Sequence, residues 1–295
     1  MTRQEIEKVR EYNSHHQAVL RATTEPRGVR YALVLVTVVF MALFLFVPLV
    51  SIFYEAFHQG VAFFFRTLSD RDTLHALKMT LVAAGISVPA NLAFGLCAAW
   101  CIGKFQFWGK SLLVSLIDIP FAISPVIAGL LFMFMFGTAS ALGVWLKAHG
   151  IQILYALPSI VIVTVFVTFP FVVREVLPVM QSQGTEEEQA ARVLGARGWH
   201  IFWRVTLPNV RWALLYGVIL CNARAMGEFG ALMVVVGNSP KTNTLPLHIN
   251  ALYQGYDPSA PFAVATLLAV LAILTLVLKV FVEWKMASAQ KEQME

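Results

Sequence analysis

Charge is scarce in this chain. Of its 295 residues only 13% are Asp, Glu, Lys or Arg, against 58% hydrophobic, and mean hydropathy is +0.70. A soluble domain of this length needs a more charged surface than that. Cysteine is equally sparse. The three cysteines fall inside apolar runs, which excludes a disulfide framework. Cys97 and Cys101 stand at i,i+4, but no His or carboxylate joins them, so small buried thiols are expected rather than a metal pair. The seven histidines are scattered without ligand spacing, and no metal site is expected. Alternating ten-residue strands are missing, which excludes a β-barrel. No nucleophile has a base beside it, so no catalytic residue is expected. "GKFQFWGKS" at 103–111 ends like a phosphate-binding loop, yet Lys104 stands where the leading glycine belongs and Gly103 lies one residue too far away. It reads as a short turn with two basic anchors, Lys104 and Lys110.

What is present is apolar length. Six windows are long enough to cross a bilayer, which takes about 20 helical residues: 31–53, 76–102, 111–136, 155–173, 212–236 and 261–283. Helices are the remaining way to span, so the expected fold is an all-α integral membrane protein with six transmembrane helices. Sixteen Lys and Arg residues lie before span one, between spans two and three, between four and five (Arg174 among them), and at the close of the chain from Lys279 on. The opposite loops hold five, and Arg224 falls within a span. By the positive-inside rule both termini are expected in the cytoplasm. The net charge of +5 is therefore a topology signal and not a nucleic-acid footprint. Residues 1–30 are expected as a cytoplasmic segment, either solvated or amphipathic through Ile6, Val9 and Leu20. They are not read as a cleaved signal, because the run from Tyr31 is too long and no small-residue site follows. Residues 285–295 form the expected cytoplasmic tail.

Between spans four and five lies "TEEEQAARVLGARGWHIFWRVTLP" (185–208), a polar insert. Thr185 and Glu188 have the spacing of a capping box, and Glu186, Glu187 and Glu188 suit the positive end of a helix dipole. Gln189, Ala190 and Ala191 continue the helix, and Gly195 is placed to stop it in the left-handed conformation. "WHIFWRVTLP" reads as a second amphipathic piece with interfacial Trp199, Phe202 and Trp203, ended by Pro208. The expected object is a short two-part helix lying along the membrane face.

The order of residues here resembles the cytoplasmic "EAA" loop of ABC-importer permeases, with Gln189, Ala190, Ala191, Gly195, Val205 and Pro208 matching in sequence. One departure is Gln189 in place of the family's Glu, the acid being displaced to Glu188. Longer segments, "LIDIPFAISPVIAGLLF" (116–132), "TFPFVVREVLPVMQSQGTEEE" (168–188), "RWALLYGVILCNARAMGEFGA" (211–231) and "TNTLPLHI" (242–249), resemble the sulfate/thiosulfate importer permeases, and most of all their CysW-type subunit. The resemblance implies a type I ABC-importer permease over 31–284, with a coupling helix in loop 182–208 carrying Thr185, Glu188, Gln189, Ala190, Ala191, Gly195 and Pro208. It also implies the partners: two copies of a cytoplasmic ATPase that uses ATP-Mg, a second, T-type permease, and a periplasmic sulfate- or thiosulfate-binding protein. The location it implies is the bacterial inner membrane, with lipid around the chain. No cofactor is expected on this chain itself.

Arg224 and Glu228 are charged residues within span five, where an Arg costs about 2.5–3.5 kcal/mol on insertion scales. At i,i+4 they can pair, beside Asn222. Two readings stand: an ion pair bracing the bundle, or a guanidinium lining the route of a dianion with Glu228 moderating its grip. Pro120 and Pro125 are expected to kink span three, either as an ordinary bend or as part of the pathway wall. Asp118 reads as a hydroxyl acceptor or an interfacial residue, and Pro89, Asn91 and Pro170 as features of helix kinks. "FFFRTLSDRD" (63–72) and "GNSPKTNTLP" (237–246) are expected on the outer side, where they could meet the binding protein. Competing functions are a molybdate or other oxyanion permease and, from another class, an ion-coupled secondary transporter. The latter predicts paired broken helices in inverted repeats, which the sequence does not display.

Overall fold

The computed structural model describes residues 27–237, 239–255 and 259–292. Expectations for residues 1–26 and for the tail beyond Glu292 lie outside them. Among the described residues every regular element is helical. The chain divides into two compact units at Tyr54/Glu55. The first is built on helix α1 (Arg27–Met41), which runs through a π-helical stretch, Ala42–Phe46, into α2 (Val47–His58) to give one 31-residue apolar rod. Its large apolar side chains are exposed, as befits a rod made to be covered by lipid.

The second unit begins with α3 (Val61–Leu68) and α4 (Arg71–Lys104), the second span. Asp70 caps α4, accepting from the Asp72 amide at 3.1 Å. Pro89 lies within α4 without interrupting it. Next come α5 (Lys110–Ala122), α6 (Pro125–Phe136) and the short α7 (Ala141–Ala148). The fourth span, α8 (Leu157–Ser182), is the axis of the unit, with half of its most apolar stretch buried. The insert contributes α9 (Glu186–Val193) and α10 (Gly198–Ile201), followed by a π-helical stretch (Phe202–Thr206) and α11 (Leu207–Met226). Last are α12 (Gly230–Val236), α13 (Leu245–Tyr253) and α14 (Ala260–Glu292).

Three expectations need correction. Span three is not one kinked helix: α5 and α6 meet at 106°. Pro120 stays inside α5, whereas Pro125 opens α6 and, through the steric demand of its ring, holds Ser124 extended. Ile123 is extended as well, and two such residues suffice to turn the chain. Span five is likewise two helices, bent by 53° between Met226 and Gly230. It also begins much earlier than residue 212. Gly198–Met226 is continuous, so the expected second amphipathic piece is the first turns of the span. Pro208 does not end it, because the preceding π-helical stretch leaves room for a residue without an N–H. Span four, in turn, runs on to Ser182 instead of stopping at 173, which places Arg174 within it.

Packing is built on small residues against branched ones. One core joins Ala99, Ile102, Val172, Val176, Met180 and Val210, linking α4, α8 and α11. A second joins Ala83, Ile160, Val163, Ala231, Leu232 and Val235 and brings in α12. Gly129 of α6 lies so close to α12 that an added Cβ would sit 2.6 Å from the Ala231 carbonyl oxygen, so the half-helices after the two breaks touch backbone to backbone. Asn91, read from sequence only as part of a kink, is fully buried and donates to Thr168 Oγ1 at 2.7 Å and towards Cys221 Sγ at 3.5 Å, stitching α4, α8 and α11 together.

Candidate coupling helix and candidate pathway residues

Helix α9 starts after Thr185, whose carbonyl accepts from the Gln189 amide at 2.9 Å. Gly195 stops it at φ +86°. The Gly195 amide donates to Arg192 O and the Ala196 amide to Ala191 O, both at 3.0 Å, which is a Schellman ending. Helix start and stop therefore lie where the sequence placed them. The capping box does not form. The Thr185 hydroxyl caps no backbone amide and accepts instead from Gln189 Nε2 at 2.9 Å. The Glu188 carboxylate is turned away from the helix start because stronger partners reach it. Lys104 Nζ at the end of α4 is 3.1 Å from Oε1, and Thr206 Oγ1 donates to the same oxygen at 2.6 Å. A charged partner outbids a neutral backbone amide.

These contacts make α9 a strut between spans. Lys104 also donates to the Gly184 carbonyl, so the α8–α9 connection is held from α4. Asn209 of α11 donates to Glu187, and its carbonyl accepts from Gln183 Nε2 at 3.0 Å. Beneath the helix is a cavity of about 340 Å³ bordered by Trp100, Lys104, Phe105, Arg192 and Phe202. The outer side is bare. Ala190 and Pro208 are exposed, Ala191 is partly so, and Val193 and Leu194 are 87% and 88% exposed at the tip. Two apolar side chains are thus held out on an otherwise polar helix.

The second constellation sits at the break in span five. Arg224 Nη1 is 2.6 Å from Glu228 Oε2, an ionic contact rather than an aligned hydrogen bond. Glu228 is only 1% exposed, while the Arg224 side chain is about one-third exposed. The other carboxylate oxygen of Glu228 accepts from the Ala231 amide at 3.1 Å, at the start of α12. One carboxylate thus neutralises a guanidinium and caps the half-helix beyond the break. Asn222 does not join the pair and points its amide at Met226 Sδ, 3.9 Å away.

A third pair was missed. The sequence places Arg174 in the loop after span four and reads Asp118 as a hydroxyl acceptor or an interfacial residue. Instead Arg174 Nε and Nη2 lie 3.0 and 2.9 Å from Asp118 Oδ1, joining α8 to α5, with the guanidinium 4.2 Å above the Phe121 ring. The helical spacing of Arg174 from the apolar run before it was the available signal. Pro178 and the polar residues after it concealed the two further turns of helix.

Residues 91–286 match the family described as "Binding-protein-dependent transport system inner membrane component". The chain is 50% identical over 256 residues to the sulfate transport system permease protein CysW of Synechocystis sp., covering 86% of this chain and 93% of that one. It is also 50% identical to the CysW protein of Escherichia coli K12, covering 85% and 86%. A crystal structure of a bacterial alginate ABC transporter, in complex with a periplasmic protein bound to alginate pentasaccharide, contains a chain of similar fold. The TM-score is 0.71 at 20% identity, over 86% of this chain and 92% of that one. The all-helical, multi-pass architecture is accordingly the type I ABC-importer permease fold. The chain belongs to the inner-membrane components of binding-protein-dependent transport systems and, within that family, groups with the CysW permeases.

Proposed function

We propose that this chain is one of two different membrane-spanning subunits of an ATP-driven importer of sulfate or thiosulfate. Its α9 helix is seated on a cytoplasmic ATPase, present in two copies, which consumes the ATP-Mg. A T-type permease completes the pathway, and a periplasmic binding protein delivers the anion. Both termini and α9 lie on the cytoplasmic side, as the excess of Lys and Arg on those segments favours. The supports for the anion are the CysW relatives and the guanidinium at the span-five break.

The observation that carries this reading is mechanical. A helix with two bare apolar side chains at its tip is tied on its inner side to two spans, through Glu188 to Lys104 at the end of α4 and to Thr206 in the early part of span five. A displacement applied to α9 is passed to both. An interfacial connector with no motor to serve needs neither the bare tip nor the double tether.

Along the pathway, the reading assigns Arg224 to transient neutralisation of the dianion and Glu228 to limiting how tightly it is held, with Asn222, Pro120 and Pro125 in or near the wall. A transporter must release what it binds, and a guanidinium already paired to a carboxylate holds weakly. The test is to purify the tagged chain in mild detergent and reconstitute what comes with it. Co-purification of an ATPase and a second permease, with binding-protein-dependent sulfate uptake, is the expected result. A single chain active alone contradicts the class, and uptake of molybdate in place of sulfate contradicts the substrate.

A further inference from the structure

Arg174 and Asp118 are a charge pair inside two spans, yet they remain 52% and 43% exposed in the isolated chain. Ionic side chains at that depth do not face hydrocarbon. They face protein or a water-filled route. By helix rise, each lies eight residues, about 12 Å, from the α9 end of its helix: Asp118 from Lys110, Arg174 from Ser182. Asp118 also stands about one turn before the 106° break between α5 and α6, and a broken span is tolerated where it lines a cavity.

The pair is unequally built. Both near nitrogens of Arg174 converge on a single oxygen, Asp118 Oδ1, while the guanidinium carbon lies 4.2 Å from the centroid of the Phe121 ring, itself set edge-on to Phe171 5.1 Å away. The cation–π contact holds Arg174 without using its N–H donors. The guanidinium is therefore held in place even when the carboxylate leaves, which is what an exchangeable anion contact requires. Among the described residues the hydrogen-bonding and ionic partner of Asp118 is Arg174.

We propose that Arg174 is a second anion contact on the route, nearer the α9 end than the break in span five, with Asp118 as its resting counter-ion. An oxyanion arriving from above replaces Asp118 on the guanidinium fork, and return of Asp118 expels it. The pair is thus an exit gate that closes on itself. This inference rests on the transport reading above.

The test uses the assembled complex in proteoliposomes. Arg174→Gln is expected to lower ATP-driven sulfate uptake at least tenfold with all subunits still co-purifying. Asp118→Asn is expected to lower uptake less than Arg174→Gln does, because the anion is still bound but no longer expelled, while ATP-independent leak of preloaded sulfate rises severalfold. Exchanging the two charges (Asp118→Arg with Arg174→Asp) should not restore uptake. Equal losses in both single variants with recovery in the exchanged one would make the pair a brace and overturn the proposal. So would full uptake by Arg174→Gln.

If Arg174→Gln fails to assemble, water access decides. In a chain with Cys97, Cys101 and Cys221 replaced by Ser, Asp118→Cys should react with a charged, membrane-impermeant thiol reagent, more slowly when sulfate is being transported. No reaction overturns the proposal. A wild-type complex that moves no sulfate would sink the transport reading instead, and the labelling result alone would then show whether this pair faces water.

Discussion

Lys104 and Glu188 meet across 84 residues of sequence, Nζ to Oε1 at 3.1 Å, and both side chains are largely shielded from solvent. The contact joins the end of the second span to the first turn of α9. Removing one partner of so shielded a pair leaves the other charge uncompensated, which costs more than losing an exposed surface bridge worth about 0–1 kcal/mol. Lys104→Ala and Glu188→Ala are each expected to leave the complex assembled but to weaken the link between ATP hydrolysis and uptake by several-fold. The exchanged variant, Lys104→Glu with Glu188→Lys, should recover part of the coupling. Measuring ATP hydrolysed per sulfate imported checks this, and unchanged stoichiometry in all three variants would show that the tether transmits nothing.

The close approach of Gly129 to Ala231 gives a packing prediction. A methyl group at 129 has nowhere to go, since the nearest atom is backbone. Gly129→Ala should therefore cost about 1–3 kcal/mol through overpacking and part the half-helices α6 and α12. Gly85→Ala, on the same kind of apolar helix but with open space around it, should be neutral or slightly stabilising. Thermal unfolding in detergent separates the two.

Glu228 performs two tasks, and two substitutions divide them. Glu228→Gln keeps an acceptor for the Ala231 amide and removes the charge facing Arg224, whereas Glu228→Ala removes both. The cap is worth about 0.5–2 kcal/mol. Both variants leave Arg224 without its counter-charge, a loss softened because the guanidinium is partly exposed and can rehydrate. Melting temperatures should fall in the order wild type, Gln, Ala. Equal values for Gln and Ala would show that the cap is idle.

His248 on α13 is buried beside Thr73, with Nε2 3.1 Å from the hydroxyl. Burial pushes its pKa below the ordinary 6.5, with Asp72 and Asp70 opposing. The sign follows from linkage. Below 6.5 the unfolded chain takes up a proton that the folded chain resists, so this contribution to stability is present above that value and is lost as the pH falls through the lowered one. His248→Gln should flatten the dependence of melting temperature on pH between 7.5 and 5. An equal slope in both proteins would contradict the assignment.

The sequence made some of this legible and hid the rest for identifiable reasons. Spans one, two and six are unbroken apolar runs, so length and composition sufficed, whereas in span four they showed the helix but not its last turns. Gly195 declared the end of α9 because only a residue free to take φ +86° closes a Schellman turn there without strain. The break in span three showed in the sequence only as Pro125, and the one in span five, where Gly227 follows the last residue of α11, was not expected. A proline or glycine signals a weakness in a helix, while the angle depends on packing between α6 and α12, which lies outside any local pattern. The supposed capping box failed for the same kind of reason. Spacing offered Glu188 a backbone amide three residues back, and the fold offered it Lys104.

The central claim is that α9 is a handle moved by a separate motor, and its bare tip is the place to test it. Leu194→Asp adds a charge to a side chain that touches little within this chain and so should spare its folding. The direct measurement is sulfate imported per ATP hydrolysed, in proteoliposomes holding the complete complex and the binding protein. A collapse of that ratio, or loss of the ATPase from the complex, is the expected result. Import at the wild-type rate and stoichiometry with Asp at 194 would contradict the account.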